Sequence, residues 1–357
     1  MFLVGRGRRT PPARARRLIS HAACAAAAPP TARLSGEPAV LATLLSRLNV
    51  SRIGLDRQPA PQPGRHGLAI AAILRNEDRH VAEWAAFHFL SGVRHFVIYD
   101  DGSTDATVAT LRAVLPADAL TVLPWAQRLS DARLGRELHN QVLAYAHAAA
   151  NFGGAFRWMA FIDVDEFLVP VGQDSLDAAL AGLGDCRNVS LPWHMFGPGG
   201  NAAPPPGGTV RNFLRRARDP MSDLPGLRAF KSIVDPCHLT AARVHAMETD
   251  HSDRTCNDAG QAATFATRER RGFYSRAAIQ LNHYYTRSAA ELEAKIGRGP
   301  NLASKHGRYR RKVLRTAASI AADEVEDMLA RDHFARVVAP GLARLGLDPA
   351  TLRLAPR

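Results

Sequence analysis

The 357-residue chain lacks several features that would each assign it to a class of protein. It contains no run of eighteen apolar residues, so no membrane-spanning helix is expected. Cysteine is scarce, and the four residues lie far apart without CxxC spacing: Cys24, Cys186, Cys237 and Cys256. We therefore expect neither a disulfide framework nor a zinc site, and a reducing compartment, the cytoplasm, fits best.

Three sequence motifs of common enzyme classes are also missing. The chain has no G-x-x-x-x-G-K-[ST], which argues against a P-loop nucleotidase. No G-x-G-x-x-G follows its first predicted strand, which disfavours a dinucleotide-dependent dehydrogenase. The absence of G-x-S-x-G argues against an α/β-hydrolase.

Acidic residues are rare near the N-terminus. Residues 1–66 contain eleven arginines but only Glu37 and Asp56, a balance of +9, which leaves +4 of the total +13 for residues 67–357. The body of the chain is thus mildly basic, and the high isoelectric point by itself does not predict a nucleic-acid partner. A hydrophobic content of 46% is enough for a substantial core.

The basic leader is expected to stand apart from the folded body. Residues 1–38 are rich in Arg, Ala and Pro and predict disorder, followed by a short helix over 39–49 and a linker over 57–67. The segment RARRLISHAACAAAAPP loosely resembles an export signal, which is the alternative to a disordered leader. Basic stretches could also hold the protein at an anionic membrane surface.

Beyond residue 67 the pattern alternates between strands and helices. The unbroken apolar run Leu68–Leu74 is typical of a strand covered on both faces. Val81, Trp84 and His88 share one helical face, which ends near Gly92. The further predicted strands and helices are strands at 94–100, 120–125 and 158–163 and helices at 105–113 and 131–149. This order predicts a parallel sheet with helices on both faces.

The pattern is weaker after residue 170. A strand near 188 is followed by a Gly/Pro-rich loop, which we interpret as a mobile lid or an acceptor loop. Two strands are expected within 227–250, and a strand leading into a helix near 281–299. Residues 312–352 predict amphipathic helix.

Polar clusters follow three of the predicted strands. They are Arg75, Asn76 and Glu77 after the first strand, Asp100 and Asp101 after the second, and Asp163 and Asp165 after the fourth. In parallel α/β sheets ligands bind beyond the carboxyl ends of the strands. The three clusters are therefore expected to form one site.

The D-x-D sequence of Asp163 and Asp165 predicts a cation site. A strand period of two points both carboxylates the same way, where they repel each other unless a cation lies between them. Mg²⁺ or Mn²⁺ prefers carboxylate oxygen and leaves coordination positions open for phosphate. The alternative is a pair of solvated turn acids or N-caps. Glu166 should point the other way and is interpreted as structural.

Four polar side chains at the ends of the first two predicted strands suit a nucleotide. Carboxylate and amide side chains of Asn76, Glu77, Asp100 and Asp101 match base N–H groups and ribose hydroxyls, although the DDGSTD segment could be a plain turn.

His283 is an acceptable third ligand for Mn²⁺, with a purely structural histidine as the alternative.

PWHMFG is the candidate contact for a sugar. Trp193 and Phe196 offer flat faces on which a sugar ring could stack, and simple core packing is the alternative.

Several segments, taken in order, resemble glycosyltransferase family 92 within the GT-A, family-2-like glycosyltransferases. They are LRNEDRHVAEWAAFHFLSGVRHFVIYDDGSTD, FIDVDEFL, PWHMFG, KSIVDP and NHYYTRSAAELEAKIGRG. The resemblance covers about 67–300 and implies a GT-A domain there, with 301–357 as a helical C-terminal extension. It also implies transfer of a sugar from a nucleotide sugar, usually UDP-linked, with a divalent cation, in the biosynthesis of a polysaccharide.

The resemblance also assigns residues to roles. Asn76, Glu77, Asp100 and Asp101 flank the nucleotide, although Asp101 stands where the family pattern often has Asn. Asp163 and Asp165 form the D-x-D, with Asp165 as the direct metal ligand, and His283 completes the metal–diphosphate site. The acceptor-side element is Trp193, His194, Phe196 and Gly197.

The reaction implied is metal-dependent and inverting, with a saccharide or lipid-linked acceptor. Lys231 or Arg287 would help the cation to stabilise the departing diphosphate. The catalytic base is unassigned, and the candidates beyond the D-x-D are Glu248, Asp250 and Asp223. The alternatives are a sugar nucleotidyltransferase and a non-enzymatic protein that binds membranes or nucleic acid through its basic segments.

Overall fold

The computed structural model describes residues 51–133, 135–299 and 306–355. The predictions for the leader, namely its disorder, the helix over 39–49 and the export-like segment, fall outside the described residues. Among these residues no helix is both long and apolar enough to cross a membrane.

The strands of the described residues are, in chain order, β1 (Ile53–Gly54), β2 (Leu68–Leu74), β3 (Val93–Asp100), β4 (Leu120–Pro124), β5 (Ser130–Asp131), β6 (Arg136–Glu137), β7 (Trp158–Phe161), β8 (Glu166–Pro170), β9 (Asn188–Met195), β10 (Arg215–Ala217), β11 (Phe230–Val234), β12 (Leu239–Ala242), β13 (Glu248–Thr249), β14 (Arg254–Cys256), β15 (Ala262–Thr264), β16 (Ile279–His283) and β17 (Glu324–Glu326). The α-helices are α1 (Asp78–Leu90), α2 (Thr107–Val114), α3 (Asn140–Phe152), α4 (Leu176–Leu180), α5 (Ala289–Arg298), α6 (His306–Ala322) and α7 (Leu329–His333).

Ten strands form the central sheet. One half is parallel, in the order β4-β3-β2-β7, as the alternating pattern predicts. The other half is mixed, because β11 runs antiparallel to both β7 and β9, and β16 pairs parallel with β9 and antiparallel with β8. In neither half does the order of the strands follow the order of the chain, since β7 lies beside β2 and β16 lies beside β8 and β9.

Strand β2 explains why helices cover both faces. Leu68 and Ile70 pack in one core together with Trp84 of α1. Ala69 and Ala71 point to the opposite core, which contains Tyr145 of α3. Side chains alternate along a strand, so an unbroken apolar run requires cover on both sides. The predicted α/β fold with helices on both faces is thus confirmed.

The helix predicted over 131–149 begins later, at Asn140. Residues 130–137 instead contain the short antiparallel pair β5–β6. Gly135, with φ of 59°, closes the turn between them and donates its N–H to the Asp131 carbonyl at 2.7 Å. A positive φ is incompatible with a right-handed helix, which accounts for the delayed start.

Residues just before β2 pack against later parts of the chain and do not form a free linker. Ile53 of β1 pairs with Ala242 of β12. The Arg65 guanidinium binds both carboxylate oxygens of Asp235, at 2.6 and 2.8 Å. These contacts depend on residues almost two hundred positions downstream, which local composition does not reveal.

The C-terminal segment also differs from continuous helix. Strand β17 interrupts it and pairs with β10. Beyond α7 a π-helical turn at Phe334–Val338 and a 3₁₀ helix at Ala339–Leu345 follow. Phe334 and Val338 are buried in the same core as Trp84. The segment thus completes the core on the α1 side of the sheet.

The expectation that the cysteines form no disulfide is wrong for one pair. Cys186 and Cys256 are disulfide-bonded across a sequence separation of 70 residues, while Cys237 is free. Cys256 pairs with Val189 where β14 joins β9, which brings the two cysteines together. Sequence spacing could not indicate this pairing, because it depends on the register of the sheet.

Candidate functional site

The loops after β2 and β3 form one surface. The Asn76 N–H donates to Ser103 Oγ at 3.1 Å, and its side-chain Oδ1 accepts from the Thr104 N–H at 2.8 Å. Asn76 itself adopts a positive φ of 55°, and the neighbouring Arg75 is exposed. Parallel pairing of Leu74 with Asp100 places both loops at the same edge of the sheet. Two of the three polar clusters are thus brought together.

The acids after β3 have different partners. Asp100 Oδ1 accepts from the Ser103 N–H at 2.9 Å, within the turn. Arg128 holds both oxygens of Asp101, at 2.7 and 2.9 Å, and Asn140 Nδ2 donates to it at 3.1 Å. Any nucleotide contact by Asp101 would have to share the carboxylate with Arg128.

The D-x-D lies on a turn rather than on a strand. Strand β7 ends at Phe161, and the turn closes where the Glu166 N–H donates to the Asp163 carbonyl at 3.0 Å. The period of two therefore no longer applies at residues 163–165. As a result, Asp163 and Asp165 have different surroundings.

Asp163 faces a buried network behind the turn. Its Oδ1 accepts from Gln141 Nε2 at 2.7 Å, and its Oδ2 lies 2.9 Å from Lys231 Nζ. The same ammonium is 3.3 Å from Glu166 Oε2, which also accepts the Asp163 N–H at 2.8 Å. The side chain of Glu166 therefore lies on the Asp163 side of the turn, contrary to the strand-period prediction.

Burial and charge act against each other in this network. Burial alone would lower the pKa of Lys231, whose side chain is 1% exposed, but the Asp163 and Glu166 carboxylates hold it well above its ordinary value. Burial raises the pKa of Glu166 to about 8, only partly offset by Lys231. Glu166 therefore keeps its proton near pH 7, and the Lys231 ammonium is left to pair with Asp163. Since Lys231 is fully buried, it faces this network rather than open solvent.

Asp165 contacts a second group of side chains, which comprises His283 and Lys295. Its Oδ2 lies 3.4 Å from His283 Nε2 and 3.1 Å from Lys295 Nζ. Burial would raise the pKa of Asp165, but Lys295 and then His283 hold it well below the usual range. Burial lowers the pKa of His283, partly offset by Asp165. An ionised carboxylate next to a neutral imidazole is the result.

Asp165 and His283 together form a candidate cation site. The Asp165 carboxylate and the His283 imidazole are an oxygen and a nitrogen donor side by side, which suits Mn²⁺ or Mg²⁺ with phosphate oxygens completing the coordination. Buried His283 Nδ1 has no hydrogen-bond partner among the described residues. Asp163, the third predicted ligand, is instead held by Lys231. In the described part of the chain no three His, Cys, Asp or Glu side chains converge as a ready-made metal site.

A basic rim surrounds Asp165 and Glu77. Arg287 and Arg298 approach the Glu77 carboxylate at 3.4 and 3.5 Å, and Arg287 also donates to the Val164 carbonyl at 3.3 Å. Lys295 lies on α5, which begins with a capping box between Ser288 and Glu291. Lys295 and Arg298 were not predicted, although both lie in the NHYYTRSAAELEAKIGRG segment at helical spacing. The cap fixes the start of this helix, on which Lys295 meets Asp165 of the D-x-D turn and Arg298 meets Glu77.

The four residues predicted to contact the acceptor differ in their exposure to solvent. Trp193 is half-buried and lies edge-on to His283, with ring centroids 4.4 Å apart. His194 is buried and bonds to the Tyr274 hydroxyl at 3.0 Å. Phe196 is buried against Tyr284, and the Gly197 N–H donates to the Arg215 carbonyl. Of this group, only Trp193 reaches the surface beside Asp165 and His283.

The three base candidates lie in ion pairs elsewhere. Glu248 of β13 binds Arg52 and Arg243, each at 2.9 Å. Asp250 pairs with Arg187 at 2.6 Å and with His238 at 2.9 Å. Asp223 pairs with Arg228, and its side chain is 85% exposed. Among the described residues, the basic side chains paired with these three acids are different from those paired with Asp163 and Asp165.

Comparisons with known proteins agree with the sequence resemblance. The model of a family described as glycosyltransferase family 92 matches residues 69–312. A family 92 protein of Ricinus communis is 28% identical over 215 residues, covering 57% of this chain and 36% of the relative. One from Oryza sativa subsp. japonica is 26% identical over 212 residues, covering 54% and 32%. The chain spans about a third of the length of these relatives.

Similarity to solved structures is weaker. The crystal structure of S. aureus TarS 1–349 in complex with UDP matches at 15% identity and a TM-score of 0.29, covering 48% of this chain and 47% of that one. At this level the match has no bearing on the ligands of the present chain.

Proposed function

Because the chain belongs to glycosyltransferase family 92, we propose that it transfers a sugar from a nucleotide sugar, UDP-linked, to a saccharide or lipid-linked acceptor. The transfer is metal-dependent and inverting, and it serves the synthesis of a polysaccharide. One observation carries the proposal. The Asp165–His283 pair lies at the carboxyl edge of the sheet, flanked by Lys295, where a cation and a diphosphate would meet.

The donor nucleoside would bind the loops after β2 and β3. Asn76, Glu77, Asp100 and Asp101 offer carboxylate and amide groups to the base and ribose. Joined loop backbones give this surface a defined shape, because Asn76 is hydrogen-bonded on both sides to the turn after Asp101. Preorganised loops lower the entropy cost of binding.

Asp165 and His283 would hold the Mn²⁺ or Mg²⁺. When bound, the cation neutralises negative charge that grows on the diphosphate as the glycosidic bond breaks. The basic side chains Lys295, Arg287 and Arg298 add fixed positive charge around the same position. Asp163, neutralised by Lys231, would keep the turn in place from behind.

Family membership favours this proposal over both alternatives. Neither a nucleotidyltransferase nor a non-enzymatic basic protein is suggested by a family 92 match over residues 69–312. Membrane contact fits the proposal as an accessory function, because α6 carries several exposed basic residues: Arg308, Arg310, Arg311, Lys312 and Arg315. The expectation of a cytoplasmic location rested on the absence of disulfides, and the Cys186–Cys256 bond removes that basis. Cosedimentation with anionic vesicles at low salt tests the membrane contact, and its absence would contradict it.

The catalytic proposal is tested by UDP release. A panel of UDP-sugars is incubated with the protein in Mn²⁺ or in EDTA, alongside Asp165→Ala. We expect release with at least one sugar in Mn²⁺, and loss of that release both in EDTA and in the variant. Asp177→Ala removes a carboxylate on α4 instead and should remain active. Activity indifferent to EDTA and to Asp165→Ala would reject the metal site, and failure of every UDP-sugar to bind would reject the enzyme.

A further inference from the structure

The proposed reaction needs a group that accepts the proton of the acceptor hydroxyl. Glu248, Asp250 and Asp223 are each held by arginine in other parts of the fold. Asp163 is paired with buried Lys231, and Glu166 is itself fully buried beside the same ammonium. An unengaged base near the site must therefore be sought among other side chains.

His245 is such a group. It lies in the loop between β12 and β13, and its Nδ1 is 3.1 Å from the Phe230 carbonyl oxygen. A carbonyl only accepts hydrogen bonds, so Nδ1 carries the proton and Nε2 keeps its lone pair. The residue is exposed, and the hydrogen bonds of the described residues leave Nε2 without a protein partner. The backbone contact thus sets the tautomer that a general base requires.

The surroundings of His245 connect it to the site. Its ring lies edge-on to Trp193, with centroids 5.2 Å apart and an interplanar angle of 86°. Trp193 also lies edge-on to His283, with centroids 4.4 Å apart. One half-buried indole thus contacts both the exposed imidazole and the proposed metal ligand. An acceptor sugar stacked at Trp193 would lie within reach of His245 Nε2.

Resting on the proposed function, we propose that His245 is the catalytic base, taking the proton of the acceptor hydroxyl at Nε2. As that proton moves to Nε2, the hydroxyl oxygen uses its freed electron pair to bond to the anomeric carbon of the donor sugar. The bond from that carbon to the diphosphate oxygen breaks, and its electron pair leaves with the diphosphate. The resulting imidazolium then returns its proton to water.

The electrostatic surroundings keep the imidazole ready for this step. The protein packed around the part of the ring that does not reach solvent, followed by the charge of Lys231, lowers the pKa of His245 to about 4. The other charged groups that influence it are Asp163, which raises the pKa, and Lys312 of α6, which lowers it. The ring is therefore neutral near pH 7, with a basicity close to that of the carboxylates that commonly serve as bases.

The test uses the UDP-sugar found active in the panel, with water and a set of methyl glycosides as acceptors. His245→Ala should lower the rate of UDP release about 100-fold or more, the usual contribution of a general base. UDP affinity, measured by calorimetry, should change less than about twofold, because His245 does not contact the donor loops. Added imidazole should restore part of the rate to His245→Ala.

Two further variants separate chemistry from folding. His245→Asn can still donate to the Phe230 carbonyl, so it should keep the urea midpoint of the wild type while losing the rate. His251→Ala removes another exposed imidazole, one that lies in a turn after β13, and should leave the rate unchanged. Loss of rate in His245→Ala without imidazole rescue, or a rate within threefold of the wild type, would overturn the assignment. A wild type that binds no UDP-sugar would instead refute the proposed function, and the inference with it.

Discussion

The Lys231 ammonium lies 2.9 Å from Asp163 Oδ2, in a position that is 1% exposed. The first acid of the D-x-D sequence is thus ion-paired with a buried ammonium, although its own side chain is 34% exposed. Glu166, at 3.3 Å from the same ammonium, makes the pair a three-membered group. Two aspartates that look equivalent in the sequence therefore have different partners. Asp163 contacts Lys231, and Asp165 contacts Lys295 and His283.

Replacement of Lys231 should destabilise the fold strongly. In Lys231→Met the buried Glu166 and the partly exposed Asp163 lose the ammonium between them, which typically costs about 3 kcal/mol, the lower end for a broken buried pair because Asp163 is 34% exposed. We expect the free energy of unfolding, measured by urea titration, to fall by that amount. Lys312→Met removes an exposed lysine and should change stability by less than about 0.5 kcal/mol. Equal effects of the two substitutions would contradict the ion-pair description.

Lys295 should influence metal and nucleotide in opposite directions. Its ammonium is 3.1 Å from Asp165, so Lys295→Met removes a competitor of the cation, and Mn²⁺ alone should bind about threefold more tightly. In the presence of Mn²⁺, UDP should bind about tenfold more weakly, because the variant lacks the ammonium that we propose donates a charged hydrogen bond to the diphosphate. Calorimetry of each ligand measures both effects. If Lys295 has no role in the site, neither affinity will change relative to Lys312→Met.

The disulfide should contribute substantially to stability. Cys186 and Cys256 close a loop of about 70 residues, for which the expected stabilisation is about 2–5 kcal/mol. Cys186→Ser should lower the free energy of unfolding by that amount, as should reductant acting on the wild type. Cys237→Ser alters the free cysteine and should have little effect. A thiol count showing both Cys186 and Cys256 reduced in the purified protein would refute the bond.

Stability should fall with pH below neutrality because of His88. Its Nδ1 bonds to the Trp84 carbonyl at 2.8 Å and its Nε2 to the Leu168 N–H at 3.1 Å, so the buried ring is neutral. Burial lowers the pKa of His88 to about 3, whereas the unfolded chain takes up the proton near pH 6.5. The contribution of His88 to the free energy of unfolding is complete above about pH 6.5 and decreases by about 1.4 kcal/mol per pH unit below that value.

Urea titrations at pH 7, 6 and 5 measure this slope. His88→Gln removes the titrating group, so its stability should depend less on pH than that of the wild type. The exposed His251 provides the matched control, since His251→Gln should retain the full slope. Parallel pH profiles for wild type and His88→Gln would show that His88 does not contribute.

The parallel half of the fold follows from local pattern. The unbroken apolar run of β2 and the helical face of α1 depend on residues close together in the chain, and both elements form where they are predicted. The mixed half depends on pairings between distant segments, such as Lys231 of β11 with Leu191 of β9. Periodicity carries no information about these partners.

The same distinction applies to the candidate site. Amino-acid types alone identify Asn76, Asp101, Asp165 and His283 as chemically suitable, and the order of the motifs indicates the family. The sequence does not show which of these side chains are ionised or exposed. Lys231 appears in the sequence as a helper for a diphosphate, yet β11 carries it into the interior. His245 has no motif around it, and its value as a base depends on a carbonyl and an indole from other strands.

The α/β alternation, the family and the acids at the ends of the strands can thus be read from the sequence, because each rests on short-range pattern and residue chemistry. The three-dimensional fold pairs Asp163 with Lys231 and Asp165 with Lys295, which the sequence does not reveal. It also joined Cys186 to Cys256 and placed an exposed imidazole beside Trp193. The physical reason is that charge, burial and proton position depend on neighbours in space, and those neighbours come from segments far apart in the chain.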